Sequence, residues 1–233
     1  MIPAHNEELL LPRGLAAVQH AVERSGSTAE IVVVANRCTD RTVQITKDAG
    51  AVVVHDSSRC LGATRNAGVA ASHGAVVVTI DADSVMHEDA LREVNHLVDT
   101  GRYVGGGCRH VPERSSLGIN VSLAFVNAAL MIAGLGGAMY WCMRSDFDAV
   151  GGFDESLSVA EDLDFARRLR RHGRRTGRRF MNVRHSPVVV SCRKFDTFGD
   201  WHVFNHTLIR GHNAARKGDD LSYADAYIHD HDA

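Results

Sequence analysis

Residues 75–86, AVVVTIDADSVM, decide the fold. Val76 to Ile80 are apolar or β-branched and predict a buried strand, which then runs straight into two acids, Asp81 and Asp83. Carboxylates at the end of a core strand are costly unless something pairs with them. The question is what they hold.

The same pattern recurs on either side. EIVVVA (30–35) and AVVVH (51–55) predict further strands. Between them, DRTVQITKDAG (40–50), LGATRNAGVAASHG (61–74) and HEDALREVNHLVDTG (87–101) predict helices that stop on glycine. Continuous Val/Ile strands alternating with such helices define βαβ units and a mostly parallel sheet flanked by helices. Right-handed crossovers put the strand C-termini on one edge, the edge where α/β sheets bind ligands. Asp81 and Asp83 fall on that edge. The opening strand in MIPAHNEE is expected to have only about three residues against the usual ~5, so it is either incomplete or weakly paired.

The second half is less regular. It predicts a helix over 116–133, a strand over 138–143 and the loop VGGFDESLSVA. A helix over 161–172 and a strand over 186–192 follow, then a polar tail with helical stretches. With no linker or repeat, one α/β domain over 1–195 is expected, its halves 1–100 and 101–195. Residues 196–233 are expected to form a C-terminal helical extension.

The 233 residues are 45% hydrophobic and carry a formal net charge of −2, so no global field recruits nucleic acid. Five scattered cysteines without a CxxC pair suit reduced thiols, and MIPAHNEE has no signal-peptide character, so a cytoplasmic location is expected. Residues 117–141 lack charge, but Asn120, Ser122, Asn127, Gly134, Gly136 and Gly137 interrupt them. They predict a buried helix of about four turns, a glycine turn and a strand, not a span of ~20 apolar residues. Peripheral contact with a membrane surface stays open.

In an extended segment Asp81 and Asp83 project to one side and suit a hard cation, Mg or Mn. Asp-x-Asp-Ser equally suits a turn that caps the next helix. A second acidic cluster, AEDLDFARRLRRHG (160–173), puts Asp162, Phe165, Ala166 and Leu169 on one helical face, with Asp164 and Arg168 as an exposed i,i+4 pair. Acids at a helix N-terminus gain ~0.3–1 kcal/mol. That explains acids there but not an inward one, and the same dipole keeps Asp162 ionised as a general base requires. The arginines of 167–184 suit a solvated helix end, or a rim for a diphosphate or anionic acceptor. The fourteen histidines show no HExxH spacing. HDHD at 229–232 suits a frayed terminus or adventitious metal.

Taken in order, IPAHNEE (2–8), IVVVANRCTDRT (31–42), LGATRNAG (61–68), TIDADS (79–84) and VGGFDESLSVAEDLDFARRLRRHG (150–173) resemble glycosyltransferase family 2 with its GT-A fold. The resemblance implies an inverting, metal-dependent hexosyltransferase acting by direct displacement. It also implies that 1–100 is the nucleotide-binding half and 101–195 the acceptor side. Its donor would be a nucleotide-diphosphate sugar and its acceptor a small molecule, glycan or lipid-linked group. It implies that Pro3, Ala4, His5 and Glu7 line the nucleotide pocket, with Asn36 and Arg65 near the base and Asp81 and Ala82 beside the ribose. Asp83 would hold Mn or Mg, Asp162 would be the general base, and Glu161 would shape the acceptor site. His185 is a candidate third metal ligand.

Relatives commonly have a carboxylate where this chain has Ala35-Asn36, and an amide both donates and accepts, so uracil is not implied as the donor base. SCRKFDTFGDW (191–201) resembles a stretch of a bacterial subset, in which Arg193 and Lys194 close over the diphosphate or are ordinary surface charge. Alternatives are a non-catalytic nucleotide- or sugar-binding protein and a sugar nucleotidyltransferase. PAHNEELLLPRG lacks the Gly-rich loop that the second would open with.

Overall fold

The computed structural model describes residues 1–201. The chain runs β1 (Ile2–Ala4), α1 (Leu11–Ser25), β2 (Val32–Asn36), α2 (Thr42–Asp48), β3 (Val52–Asp56), α3 (Leu61–Ala70), β4 (Val76–Ile80) and α4 (Ala90–Asp99). The second half continues with β5 (Tyr103–Cys108), β6 (His110–Pro112), α5 (Leu117–Ala133), β7 (Gly137–Met143) and α6 (Arg144–Val150). Then come α7 (Glu161–Arg175), β8 (Arg179–Phe180), β9 (Val188–Val190) and α8 (Arg193–Phe198).

β1 and β2 are buried on both faces, whereas β3 is part-exposed, with Val52 and His55 open to solvent. β2 pairs in parallel with β1 (Ile2↔Val33) and with β3 (Val32↔Val52). Met1 N donates to Val78 O at 2.8 Å and Ile80 N to Met1 O at 3.2 Å, which joins β1 to β4. The layer therefore reads β3-β2-β1-β4-β7-β5-β8. It is the expected α/β fold with a largely parallel sheet, except that β7 runs antiparallel to both β4 and β5. Short as it is at three residues, β1 is fully buried and central, so it is not a weak edge.

Helix α1 and strands β5, β6 and β8 escaped the sequence patterns, as did the short helix α6. Helix α1 buries Leu11, Leu15, Val18 and Ala21 at three- and four-residue spacing and ends on Gly26 in the left-handed region, so its signal was present. Strand β5, YVGGGC, had no such signal, because its glycines hide a strand. Those glycines are required by packing: a Cβ on Gly106 would lie 1.7 Å from Met181 O.

Three expectations are corrected. The uncharged helix α5 is not buried throughout. Gly118, Ile119, Ser122 and Leu123 face inward, while Leu117, Met131 and Ile132 are 75%, 75% and 84% exposed. Arg168 and Asp164 do pair, at 2.6 Å, but not as a free surface couple, because Arg168 also donates to Val150 O and Gly152 O at 2.7 Å. The arginine run is not uniformly solvated either, since Arg178 forks onto buried Asp146 at 2.6 Å while Arg167, Arg171, Arg174 and Arg175 stay exposed. All five cysteines are free thiols. Residues 202–233, including HDHD and most of the expected helical extension, lie outside the described residues.

Candidate active site

The strand ends and one helix start enclose a cavity of about 320 Å³. The segment after β1 supplies Pro3, Ala4, His5 and Glu7 to its lining, β2 supplies Asn36, and α3 supplies Arg65. The turn after β4 adds Asp81, Ala82 and Asp83, and the first turn of α7 adds Glu161 and Asp162. Ser58, Arg59, Thr64, Arg193 and Lys194 complete much of the wall. Two wall residues hold left-handed backbone, Arg37 at φ 49° and Ala160 at φ 62°, a conformation that non-glycine residues adopt only where the surroundings enforce it.

Arg65 is the hub. It is buried, donates through Nη1 to Glu161 and through Nη2 to Asp81 at 2.9 Å. Burial opposes its charge, but Asp81, Glu161 and Asp162 outweigh that and raise its pKa. The fully inward acid of α7 is thus Glu161 and not Asp162, as the helical face had suggested. Asp162 is half-buried, and its Oδ1 accepts from Leu163 N at 2.7 Å.

The DADS segment is a turn, closed by Ser84 N donating to Asp81 O at 3.1 Å, and not an extended run. Nor does it cap the next helix, which starts at Ala90 after Asp89. The two acids share the cavity through that turn, each facing a different arginine: Asp81 faces Arg65, and Asp83 lies 3.8 Å from Arg193. Arg193 also forks onto buried Glu7 at 2.9 and 3.2 Å. Burial, then the charges of Asp81 and Glu7, push the Asp83 carboxyl up to about 6 against the pull of Arg193 and Lys194.

Crowded oxygen donors of this kind fit a hard divalent cation. Among the described residues no three of His, Cys, Asp and Glu form a cage by themselves. Mg and Mn are commonly held by one or two carboxylates, with phosphate and water completing the shell. His185 does not join them; its backbone N donates to Glu93 at 3.2 Å and it does not line the cavity.

Asn36 is held on both sides. Its Nδ2 donates to Asp56 at 2.5 Å and to Ser58 O at 2.8 Å, and its Oδ1 accepts from Arg37 at 3.0 Å. His5 contacts Asn36 O at 2.6 Å. Sequence reasoning missed Asp56. The available signal was register, since parallel pairing sets Asn36 beside Asp56. Burial raises the Asp56 carboxyl, but hydrogen bonds from Ser58, Thr64 and Asn36 outweigh it and hold the pKa at about 2. Asp56 stands behind Asn36 and does not line the cavity. A larger cavity of about 710 Å³ opens beside the start of β1, but its walls are mainly Val, Ile, Leu and Met and bring no cluster of catalytic groups together.

A sheet of this topology with acids at its strand edge belongs to the class of α/β domains that bind ligands at that edge. The comparisons are specific about the family. The model for glycosyl transferase family 2 matches residues 1–133, and that for glycosyl transferase family group 2 matches 76–202. The chain belongs to glycosyl transferase family 2 and has the GT-A fold.

Among solved structures it is similar to the mannosyltransferase PcManGT of Pyrobaculum calidifontis in complex with GDP-Man and Mn²⁺. The TM-score is 0.68 at 20% identity, over 98% of this chain and 68% of that one. S. aureus TarS 1–349 with UDP-GlcNAc gives 0.63 at 17% identity, over 82% and 57%. Glucosyl-3-phosphoglycerate synthase of Mycobacterium tuberculosis, with Mn²⁺, UDP and phosphoglyceric acid, gives 0.58 at 20%, over 90% and 76%. A TPR repeat-containing protein of Synechococcus elongatus is 34% identical over 95 residues, 40% of this chain, and the match spans only 22% of that relative's length.

Proposed function

We propose that this chain is a glycosyltransferase that moves a hexosyl group from a nucleoside-diphosphate sugar to an acceptor nucleophile, with inversion at the anomeric carbon. The observation that carries this is the meeting, in one cavity, of the β4-turn acids with the α7 acids through Arg65. Family membership and neighbours whose complexes contain GDP-Man, UDP-GlcNAc or UDP support it.

Pro3, Ala4, His5 and Asn36, which line the cavity with Arg65, Asp81 and Ala82, would face the nucleoside. Asp83, with Asp81 or Glu7 beside it, would hold the divalent metal, Mn or Mg. When bound, that ion offsets the negative charge that grows on the departing diphosphate. Arg193 and Lys194 flank the same place and supply fixed positive charge to the phosphates.

Asp162 accepts the proton of the acceptor hydroxyl. The oxygen's electron pair then forms a bond to the anomeric carbon while the bond from that carbon to the diphosphate oxygen breaks, and the diphosphate leaves with its electrons. Attack from the side opposite the leaving group inverts the centre. Glu161 takes no proton in this scheme; its carboxylate fixes Arg65. The acceptor is a small molecule, a glycan or a lipid-linked group.

The test is a panel of nucleotide sugars incubated with the protein and Mn or Mg. Slow release of free nucleoside diphosphate from one donor, accelerated by the right acceptor, is the expected result. Saturable nucleotide-sugar binding with no release from any donor would identify a binding protein and sink the proposal.

A further inference from the structure

Helix α5 carries no charged side chain in 17 residues, yet it is not a core helix. Its inward residues Ile119 and Leu123 pack on Cys192 and Phe195, beside the start of α8. The opposite face runs Leu117, Val121, Ala124, Ala128 and Ile132, a stripe at four- and three-residue spacing, all exposed, with Met131 at its margin. Single exposed apolar residues are ordinary, but a continuous stripe along more than four turns marks an interaction surface. Among the described residues no helix is long and apolar enough to cross a bilayer.

What adjoins the stripe tells what covers it. At the C-terminal end of α5, Arg170 donates to Ala133 O and lies against Gly134. Arg167, Arg171 and Arg174 share one face of α7 with Arg170, and all three are exposed. The acids of α7 are committed elsewhere: Glu161 to Arg65 and Asp164 to Arg168, with Asp162 in the cavity. At the other end of α5, Asp196 and Asp200 are paired with Arg114. An uncharged apolar stripe beside an uncompensated basic ridge is complementary to one kind of surface, with hydrocarbon beneath and negative charge at the level of the headgroups.

We infer that α5 and the arginine face of α7 dock this protein on an anionic membrane surface. The stripe enters the headgroup boundary, lying in the plane of the bilayer, and the arginines meet acidic lipid headgroups. Because α8, which begins with Arg193 and Lys194, packs on the inner face of α5, docking sets the candidate active site one helix away from the lipid.

The full chain is tested by sedimentation with vesicles of phosphatidylcholine alone and of phosphatidylcholine with phosphatidylglycerol at about three to one. It is expected to pellet with the anionic vesicles, to stay in solution with the neutral ones, and to be released as salt rises from about 0.1 to about 1 M. Ile132→Asp with Val121→Asp is expected to lower vesicle partition at least about tenfold, as is Arg171→Glu with Arg174→Glu, at unchanged melting temperature. Leu117→Ser, at the far end of the stripe, serves as an independent apolar variant and should weaken binding in the same direction. Failure to pellet with anionic vesicles overturns the inference, as does equal pelleting with both kinds, or binding indifferent to the stripe substitutions. A dimer in light scattering that Ile132→Asp converts to a monomer, without vesicle binding, assigns the face to a second copy and overturns it too.

Discussion

Arg65 and Glu161 lie 96 residues apart in sequence and form a buried ion pair, with the same guanidinium reaching Asp81 at 2.9 Å. One side chain thus ties α3, the β4 turn and the start of α7 into a single wall. Removing one partner of such a pair leaves the other charge buried and uncompensated, at a cost of about 3–5 kcal/mol. Arg65→Ala should lower the melting temperature by on the order of 10 °C and weaken nucleotide binding. A thermal melt within about 2 °C of the parent would show that the pair does not hold the wall together.

Asp162→Asn keeps the shape of the site and removes the proton acceptor. General-base catalysis contributes about 10²–10⁴-fold. Turnover should fall by that factor, while donor affinity, measured by calorimetry, changes little. Turnover near that of the parent would remove Asp162 from the mechanism.

Asp83→Asn should act on a different quantity. Nucleotide affinity measured with Mn should drop about tenfold or more, while affinity measured after chelation stays where it was. If the two affinities of the variant keep the parent's ratio, Asp83 does not hold the metal.

Asp56 links the site to acid stability. Its carboxyl sits at about 2, below the unfolded value, because hydrogen bonds from Ser58, Thr64 and Asn36 outweigh the cost of burial. Such a depressed group stabilises the fold fully above about pH 4, and that contribution is lost as pH falls toward 2. After solvent screening it amounts to roughly 1–2 kcal/mol. The stability gap between the parent and Asp56→Asn, from urea unfolding, should therefore narrow between pH 6 and pH 3 on this linkage. A gap independent of pH would mean that the network does not discriminate the ionised form.

Gly106 tests the least legible strand. A Cβ there would meet Met181 O at 1.7 Å, and the obstacle is backbone. Gly106→Ala should give little soluble protein. Gly177→Ala, at φ 72° with nothing within 4 Å of the added carbon, should cost only about 1 kcal/mol. Comparable melts for the two would show that β5 tolerates displacement.

The strand-helix alternation, the ligand edge and the eleven candidate positions came from local pattern and resemblance, because buried parallel strands and helix starts write themselves into short stretches of sequence. Residue neighbourhood across the sheet did not. Only the fold set Asp56 beside Asn36, put β7 antiparallel between β4 and β5, and turned Glu161 inward to Arg65 in place of Asp162. Only the fold left half of an uncharged helix facing outward. TIDADS fixed by itself that two acids end a core strand. Which arginine each acid meets was decided by packing between segments about 16 and 110 residues distant in the chain, since a charge's partner is a matter of position in space, and periodicity carries no record of it.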